Sequence, residues 1–148
     1  MAGTARPERV ATRTLGEAFD RTVAAFGTRP ALRAEPDGQP IDWRTYGERA
    51  RAAATALYSL GVRRGDVVAL MLTNRPEFHE LDVAALQLGA ATTSVYNTSA
   101  PEQILHVLRD AGSRVLVTER ALLDRVLAVR RAAQLTISAC TSARPDAF

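Results

Sequence analysis

The chain of 148 residues contains no lysine, so all 19 of its basic side chains are arginines. These arginines are scattered along the sequence, and adjacent pairs occur only at positions 63–64 and 130–131. Nucleic-acid binding requires a clustered basic face that follows the phosphates, and this pattern predicts no nucleic-acid partner. The complete use of arginine in place of lysine, with abundant alanine, is typical of a GC-rich coding sequence and suggests a bacterial origin.

The sequence is equally poor in metal ligands and in long apolar runs. A single cysteine, Cys140, excludes an intramolecular disulfide, and its spacing from His79 and His106 matches no zinc site. The longest purely apolar run covers residues 67–72, which is too short to span a bilayer. The first residues lack the apolar core of a signal peptide. With 47% apolar and 24% charged residues, we expect a soluble, cytoplasmic protein of one domain.

The first half of the chain predicts two helices around a short hairpin. Residues 1–13 show no periodicity and are expected to form a loose tail. Two capping boxes, Thr14 with Glu17 and Thr45 with Glu48, each begin a helical apolar pattern. Glycines close the two helices, with left-handed caps expected at Gly27 and Gly61. Between the helices, a turn at 36–40 separates short strands expected at 31–34 and 41–43.

The second half alternates strands with helices. The apolar run at 67–72 is typical of a strand that is buried on both faces of a parallel sheet. Further strands are expected at 92–96 and 114–118. Helices are expected to begin at Pro76 and Pro101, to end at Gly89 and Gly112, and to recur near 122–127.

This order predicts the α/β fold class, with a partial doubly wound parallel sheet, flanking helices and a short N-terminal hairpin. Residues 14–131 would form the folded part. Residues 132–148 show no clear period, so we expect an irregular tail. Two interpretations of this tail remain open: a non-native sequence from a truncation or frameshift, or an ordinary disordered terminus.

Two loops are candidate ligand sites because parallel sheets bind ligands at the carboxyl ends of their strands. They are Thr73-Asn74-Arg75 and Asn97-Thr98-Ser99, each of which precedes a helix N-terminus. The competing interpretation, which we favour, is that the Asn and Ser side chains cap helices. Residues 89–94 do not form a phosphate loop, because they lack the glycine spacing and a lysine. His79 and His106 are interpreted as surface or packing residues, and no catalytic, cofactor-binding or metal-binding residue is predicted.

A family resemblance extends over residues 14–130. The segments Ile41-Asp42-Trp43-Arg44-Thr45-Tyr46-Gly47-Glu48, Leu60-Gly61-Val62-Arg63-Arg64-Gly65-Asp66 and Tyr96-Asn97-Thr98-Ser99-Ala100-Pro101-Glu102 carry it. In this order and at these separations, they resemble the N-terminal part of the AMP-forming acyl-CoA synthetases, most closely the bacterial long-chain fatty acid–CoA ligases.

The resemblance implies an ATP-dependent ligase that joins a fatty acid to AMP and then to CoA, with Mg²⁺ accompanying ATP. The family's phosphate loop and its two functional lysines match no position in this sequence, and arginine is not a geometric substitute for lysine. We therefore expect a fragment that is inactive alone and that aggregates through exposed sheet edges. The alternatives are a self-sufficient α/β module that binds a nucleotide or acyl group, and an interaction or regulatory protein.

Overall fold

The computed structural model describes residues 13–33 and 38–133 with their side chains, and the backbone of residues 136–140. In the first part, helix α1 (Leu15–Phe26) precedes the strands β1 (Pro30–Leu32) and β2 (Ile41–Asp42) and helix α2 (Trp43–Ser59). The second part alternates strands and helices: β3 (Val67–Met71), α3 (Pro76–Gln87), β4 (Ala91–Ser94), α4 (Pro101–Asp110), β5 (Val115–Glu119), α5 (Leu123–Ala133) and β6 (Thr136–Cys140).

The main sheet is parallel, with the strand order β4-β3-β5-β6. Alternate side chains of β3 enter two cores. Val68 and Leu70 pack against α2 and α3, whereas Ala69 and Met71 pack against α4 and α5. Burial on both faces explains the continuous apolar run of β3 and requires helices on both sides of the sheet. The predicted α/β fold with flanking helices is confirmed, and β1 and β2 form the expected antiparallel hairpin.

The start of α1 follows the predicted pattern, but the start of α2 does not. Thr14 caps α1, since its hydroxyl accepts a hydrogen bond from the Glu17 amide at 3.1 Å. Asp42 caps α2 by accepting from the Thr45 amide at 2.8 Å, so the prediction of Thr45 as the cap is wrong. Asp42 has a short polar side chain of the kind that caps helices, and it lies three residues before Thr45. Trp43 consequently belongs to the helix and not to the hairpin.

The ends of the first two helices differ from each other. Gly61 follows α2 with a φ of 93°, a left-handed conformation that glycine adopts without a steric penalty, as predicted. Gly27 has a φ of −38° and a right-handed conformation, so the left-handed cap predicted there is wrong. The chain stays in a tight turn at this point because the Arg44 amide donates to the Gly27 carbonyl at 2.9 Å.

The segment after residue 131 is more regular than its sequence suggests. Helix α5 continues to Ala133, and the strand Thr136–Cys140 pairs in parallel with β5. The prediction of irregular structure from residue 132 is therefore wrong over these residues. The β pairing is long-range, with Val115 opposite Thr136, and local periodicity does not reveal it. The remaining parts of the two predicted tails, 1–12, 134–135 and 141–148, lie outside the described residues, as do residue 34 of the first predicted strand and residues 36–37 of the predicted turn.

An aromatic cluster joins α1 to α2. The Tyr46 ring lies 4.8 Å from the Phe19 ring, edge to face, and 5.8 Å from the Trp43 ring, measured between centroids. Tyr46 is only 6% exposed, and its hydroxyl donates to the His79 carbonyl on α3 at 3.1 Å. Burial, followed by the nearby Asp82 and Glu80 charges, raises the pKa of Tyr46 to about 12. The interpretation of Trp43 and Tyr46 as packing aromatics is confirmed for these contacts.

Glycine allows α1 and α2 to approach closely. A Cβ atom placed on Gly47 would lie 2.9 Å from Cγ1 and 3.1 Å from Cγ2 of Val23. Valine is stiff about χ1, so its methyl groups cannot easily move aside. The helix pair therefore depends on the absence of a side chain at position 47.

Within the described part of the chain, every helix is too short or too polar to cross a bilayer.

Replacing Gly47 with alanine should destabilise the protein, with an effect that depends on Val23. Alanine gains about 1 kcal/mol of helix propensity, but overpacking costs about 1–3 kcal/mol. In a Val23→Ala background the overlap disappears, so the same Gly47→Ala change should become stabilising. Urea unfolding of the wild type, both single variants and the double variant measures this reversal. The same sign of effect in both backgrounds would contradict the proposed helix contact.

Raising the pH from 10 to 12 should remove stability through Tyr46. Its folded pKa exceeds that of the unfolded chain, so its contribution is complete below pH 10 and is lost as the pH rises through about 12. The loss should reach roughly 2–3 kcal/mol. Since the chain contains no lysine, no ammonium side chain titrates in the same range.

This pH dependence is measurable as the free energy of unfolding between pH 9 and pH 12. Tyr46→Phe should cost about 1 kcal/mol at neutral pH, because it removes a hydrogen bond, but should flatten the alkaline slope. Tyr96→Phe is the matched control, since Tyr96 is 83% exposed, and it should leave the slope unchanged. Parallel pH profiles for wild type and Tyr46→Phe would rule out Tyr46 as the source.

Candidate functional site

The strand order creates a topological switch point between β3 and β5. After β3 the chain crosses through α3 to β4 on one side, and it then returns through α4 to β5 on the other side of β3. In open α/β sheets, ligands bind in the crevice at the carboxyl ends of the two strands where the order reverses. The residues after Met71 and at the end of β5 therefore form the candidate site.

One buried carboxylate connects the two strands at this point. Oε2 of Glu119 accepts hydrogen bonds from the Thr73 hydroxyl at 3.1 Å and from Nη1 of Arg75 at 3.1 Å. Glu119 is 7% exposed. Directly before it, the Thr118 hydroxyl donates to the Met71 carbonyl at 3.0 Å. Two consecutive side chains of β5 thus fix the end of β3 and the loop that follows it.

Arg75 is shared between two carboxylates. Its Nε and Nη2 atoms contact the two oxygens of Glu77 at 2.9 and 2.8 Å, in addition to the Nη1 contact with Glu119. Burial acts to raise the pKa of Glu77, but the hydrogen bonds and charge of Arg75 outweigh it and hold that pKa below its usual value. One guanidinium between two carboxylates leaves this cluster with a formal charge of −1. This arrangement does not fit the phosphates of a nucleotide, which need excess positive charge.

Neither candidate loop caps its helix in the predicted way. The residue at the N-cap of α3 is Arg75, not Asn74, and the N-cap of α4 is Ala100, not Ser99. At α4, Gln103 supplies the cap contact instead by accepting from the Ala100 amide at 3.0 Å. The interpretation of Asn74 and Ser99 as helix caps is therefore wrong. Both sequences place proline at the first helical position, and this moves each cap to the residue before it.

The two candidate loops lie at the same edge of the sheet. Leu70 is opposite Ser94 and Met71 is opposite Thr118, so the loops after β3 and β4 follow neighbouring strands. The loop after β4 contains Tyr96, whose side chain is 83% exposed. This loop forms a turn in which the Ser99 amide donates a hydrogen bond to the Tyr96 carbonyl at 3.1 Å. Sequence analysis identified both loops but missed Glu119. The available signal was the pair of polar residues, Thr118 and Glu119, that ends the third apolar strand.

The two histidines lie apart from this cluster. His79 and His106 are exposed on α3 and α4, and His79 contributes its backbone carbonyl to Tyr46. Among residues 13–33 and 38–133, no group of three or more His, Cys, Asp and Glu side chains is placed to hold a metal ion.

Another carboxylate, that of Glu80, is buried and lies 3.3 Å from Nη1 of Arg49. Burial raises the pKa of Glu80 and the Arg49 charge opposes this effect.

A separate cleft lies at the opposite, amino-end edge of the sheet. It has a volume of about 560 Å³ and is formed by α1, by the end of α3 and by Arg51 and Arg64. Polar and apolar side chains both line the cleft, and its carboxylates are those of Glu17 and Asp20. Since carboxylates and guanidiniums face it in equal number, its charge selects no ligand class.

Comparison with known proteins identifies the family of this fold. A sequence model of the family described as "AMP-binding enzyme" matches residues 19–146. The match continues beyond residue 131, through the segment that contains β6.

The relatives differ in how much of their own length the chain covers. The chain is 44% identical over 128 residues to the uncharacterized protein Rv1549 of Mycobacterium tuberculosis, and this alignment covers 86% of the chain and 70% of that protein. It is 39% identical over 116 residues to 4-coumarate–CoA ligase 3 of Oryza sativa, covering 76% of the chain and 20% of the enzyme. It is 46% identical over 69 residues to the long-chain-fatty-acid–CoA ligase FadD15 of Mycobacterium bovis, covering 47% of the chain and 12% of the enzyme.

A solved structure agrees in fold. The fatty acyl CoA synthetase of Mycobacterium tuberculosis superimposes with a TM-score of 0.79 at 22% identity, over 87% of this chain and 26% of that one. The chain thus spans between 12% and 26% of these three enzymes. Its strand order, its helix layers and the family match over 128 residues together show that the chain belongs to the AMP-binding enzyme family, as the resemblance predicted.

Proposed function

We propose that this chain is part of an ATP-dependent ligase for long-chain fatty acids and that it does not catalyse the reaction alone. In this reaction a carboxylate oxygen attacks the α-phosphate of ATP and releases pyrophosphate. The thiol of CoA then attacks the acyl carbon and releases AMP. The observation that carries the proposal is the 46% identity to the fatty-acid ligase FadD15 within a chain that matches the AMP-binding family.

The fatty acid is the favoured substrate class among the acids that the relatives' names give. The chain is 46% identical to FadD15 and 39% identical to the 4-coumarate ligase, although the alignment with the 4-coumarate ligase covers more of the chain. The main sheet buries apolar side chains on both faces, so the described residues leave acid recognition to the loops at its carboxyl edge.

The predicted inactivity rests on the absence of lysine and of a phosphate loop from this sequence. ATP, with its Mg²⁺ ion, requires positive groups around the transferred phosphate, and these groups supply most of the rate enhancement by fixed electrostatic stabilisation. At the switch point Arg75 is already paired with Glu77 and Glu119. This cluster therefore does not fit the triphosphate, and we derive no catalytic step from it.

A second candidate function is a self-sufficient module that binds a nucleotide or an acyl group. The specific observation in its favour is the relative Rv1549, of which this chain covers 70% rather than the 12–20% that it covers of the two ligases. Such a module would use the loops near Asn74 and Asn97, which share one edge of the sheet.

The purified chain should form no acyl adenylate. We expect no palmitate-dependent exchange of pyrophosphate into ATP and no acyl hydroxamate after addition of hydroxylamine, because the sequence contains neither a phosphate loop nor a lysine. FadD15, assayed in parallel, provides the positive control. Exchange that depends on palmitate and disappears after heat denaturation would overturn the proposed inactivity.

Ligand titration separates the ligase part from the binding module. For the ligase part alone, we expect no saturable binding of AMP or dodecanoate below about 1 mM, which corresponds to roughly 4 kcal/mol of binding free energy. The measurement is the shift of backbone amide NMR signals during titration. For the binding module, signals at residues 73–75 and 97–99 should move and saturate, and Asn97→Ala should weaken the binding. Glu102→Ala, on the exposed face of α4, serves as the control.

A further inference from the structure

We propose that Glu119 is the positioning residue of the switch-point loop. Its carboxylate holds residues 73–75, and through them the N-terminus of α3, in a fixed position against the end of β5. This inference does not rest on the proposed function, since it concerns the conformation of a loop at the ligand-binding edge of the sheet. Sequence analysis did not assign Glu119 to the site.

Two hydrogen-bond donors converge on one oxygen of the buried Glu119 carboxylate. The Thr73 hydroxyl and Nη1 of Arg75 both reach Oε2 of Glu119 at 3.1 Å, across 46 and 44 residues of sequence. The side chains of Arg75 and Glu119 are 16% and 9% exposed, so water competes weakly for their contact. Charge-assisted hydrogen bonds are about twice as strong as neutral ones, and low exposure reduces their screening.

Helix α3 begins without a side-chain cap. Arg75 at its N-cap makes no side-chain cap hydrogen bond, and Pro76 at the first helical position has no amide hydrogen to donate. Most helices gain about 1 kcal/mol from a side-chain cap at this point. Here the N-cap residue is fixed instead by the long-range contacts of its guanidinium with Glu119 and Glu77.

The start of the loop, at Met71, is fixed by the sheet itself. Met71 pairs with Thr118 in the sheet, and the Thr118 hydroxyl also donates to the Met71 carbonyl. Motion of the loop therefore has to occur after this point, in the residues that Glu119 contacts. The carboxylate of Glu119 thus limits how far the loop can open over the crevice between β3 and β5.

The experiment is a measurement of backbone ¹⁵N order parameters in the full chain. In the wild type, residues 73–75 should have values of about 0.85, the level of rigid backbone. Glu119→Ala removes both contacts and should lower these values below about 0.6, while those of residues 67–71 stay unchanged. Glu119→Gln keeps the shape and one accepting oxygen, so it should give intermediate values.

The matched control is Glu77→Ala. It removes the other carboxylate of Arg75 but keeps both contacts with Glu119, so residues 73–75 should remain rigid. Should Glu119→Ala fail to fold, Thr73→Val tests the same contact at an exposed position and should lower the order parameters of residues 73 and 74. Three results would overturn the proposal: a mobile loop in the wild type, unchanged order in the Glu119 and Thr73 variants, or equal loosening by Glu77→Ala.

Discussion

The pairing of β3 with β5 is the contact on which the rest of this structure depends. These two strands are adjacent in the sheet but are separated in sequence by α3, β4 and α4. Their pairing makes β3 an interior strand, which buries both of its faces and so requires helices on both sides. It also reverses the direction in which the sheet is built, and this reversal creates the crevice at the carboxyl edge.

The helix layer on one side of the sheet is held together by close approach, and the partly buried Arg49–Glu80 ion pair joins α2 to α3 within it. Gly47 lets α2 approach Val23 of α1, and a Cβ atom on Gly16 would lie only 3.3 Å from the Gln87 backbone of α3. The aromatic cluster around Tyr46 fills the space beside these contacts and connects to α3 through the His79 carbonyl. Small residues at the crossings and large rings beside them give the layer a defined packing.

Family membership and chemical capacity have to be separated in this chain. The match to the family model places it in the AMP-binding enzyme family. At the switch point, however, the guanidinium of Arg75 is already paired with the chain's own carboxylates, those of Glu77 and Glu119. Guanidinium groups that are paired in this way stabilise a loop, whereas phosphate chemistry needs positive charge directed at the substrate. The described residues therefore account for the scaffold of the site and for the geometry of one of its loops.

The amino-acid sequence by itself determined the type and order of the strongly periodic elements. The apolar run at β3, the Pro–Gly boundaries of α3 and the Thr14 cap of α1 are local features that follow from backbone geometry and side-chain spacing. The sequence also indicated the family and both loops of the carboxyl edge.

Only the tertiary structure decided which of these local options is used. Asp42 and Thr45 both carry oxygens that can cap a helix, and the hairpin geometry selects Asp42. The strand Thr136–Cys140 has no clear pattern of its own and forms because β5 presents a free edge to it. Glu119 joins the site because the strand order places it beside residues that lie 44 and 46 positions away. Local propensity carries no information about such distances, since the contact exists only after the chain has crossed the sheet twice.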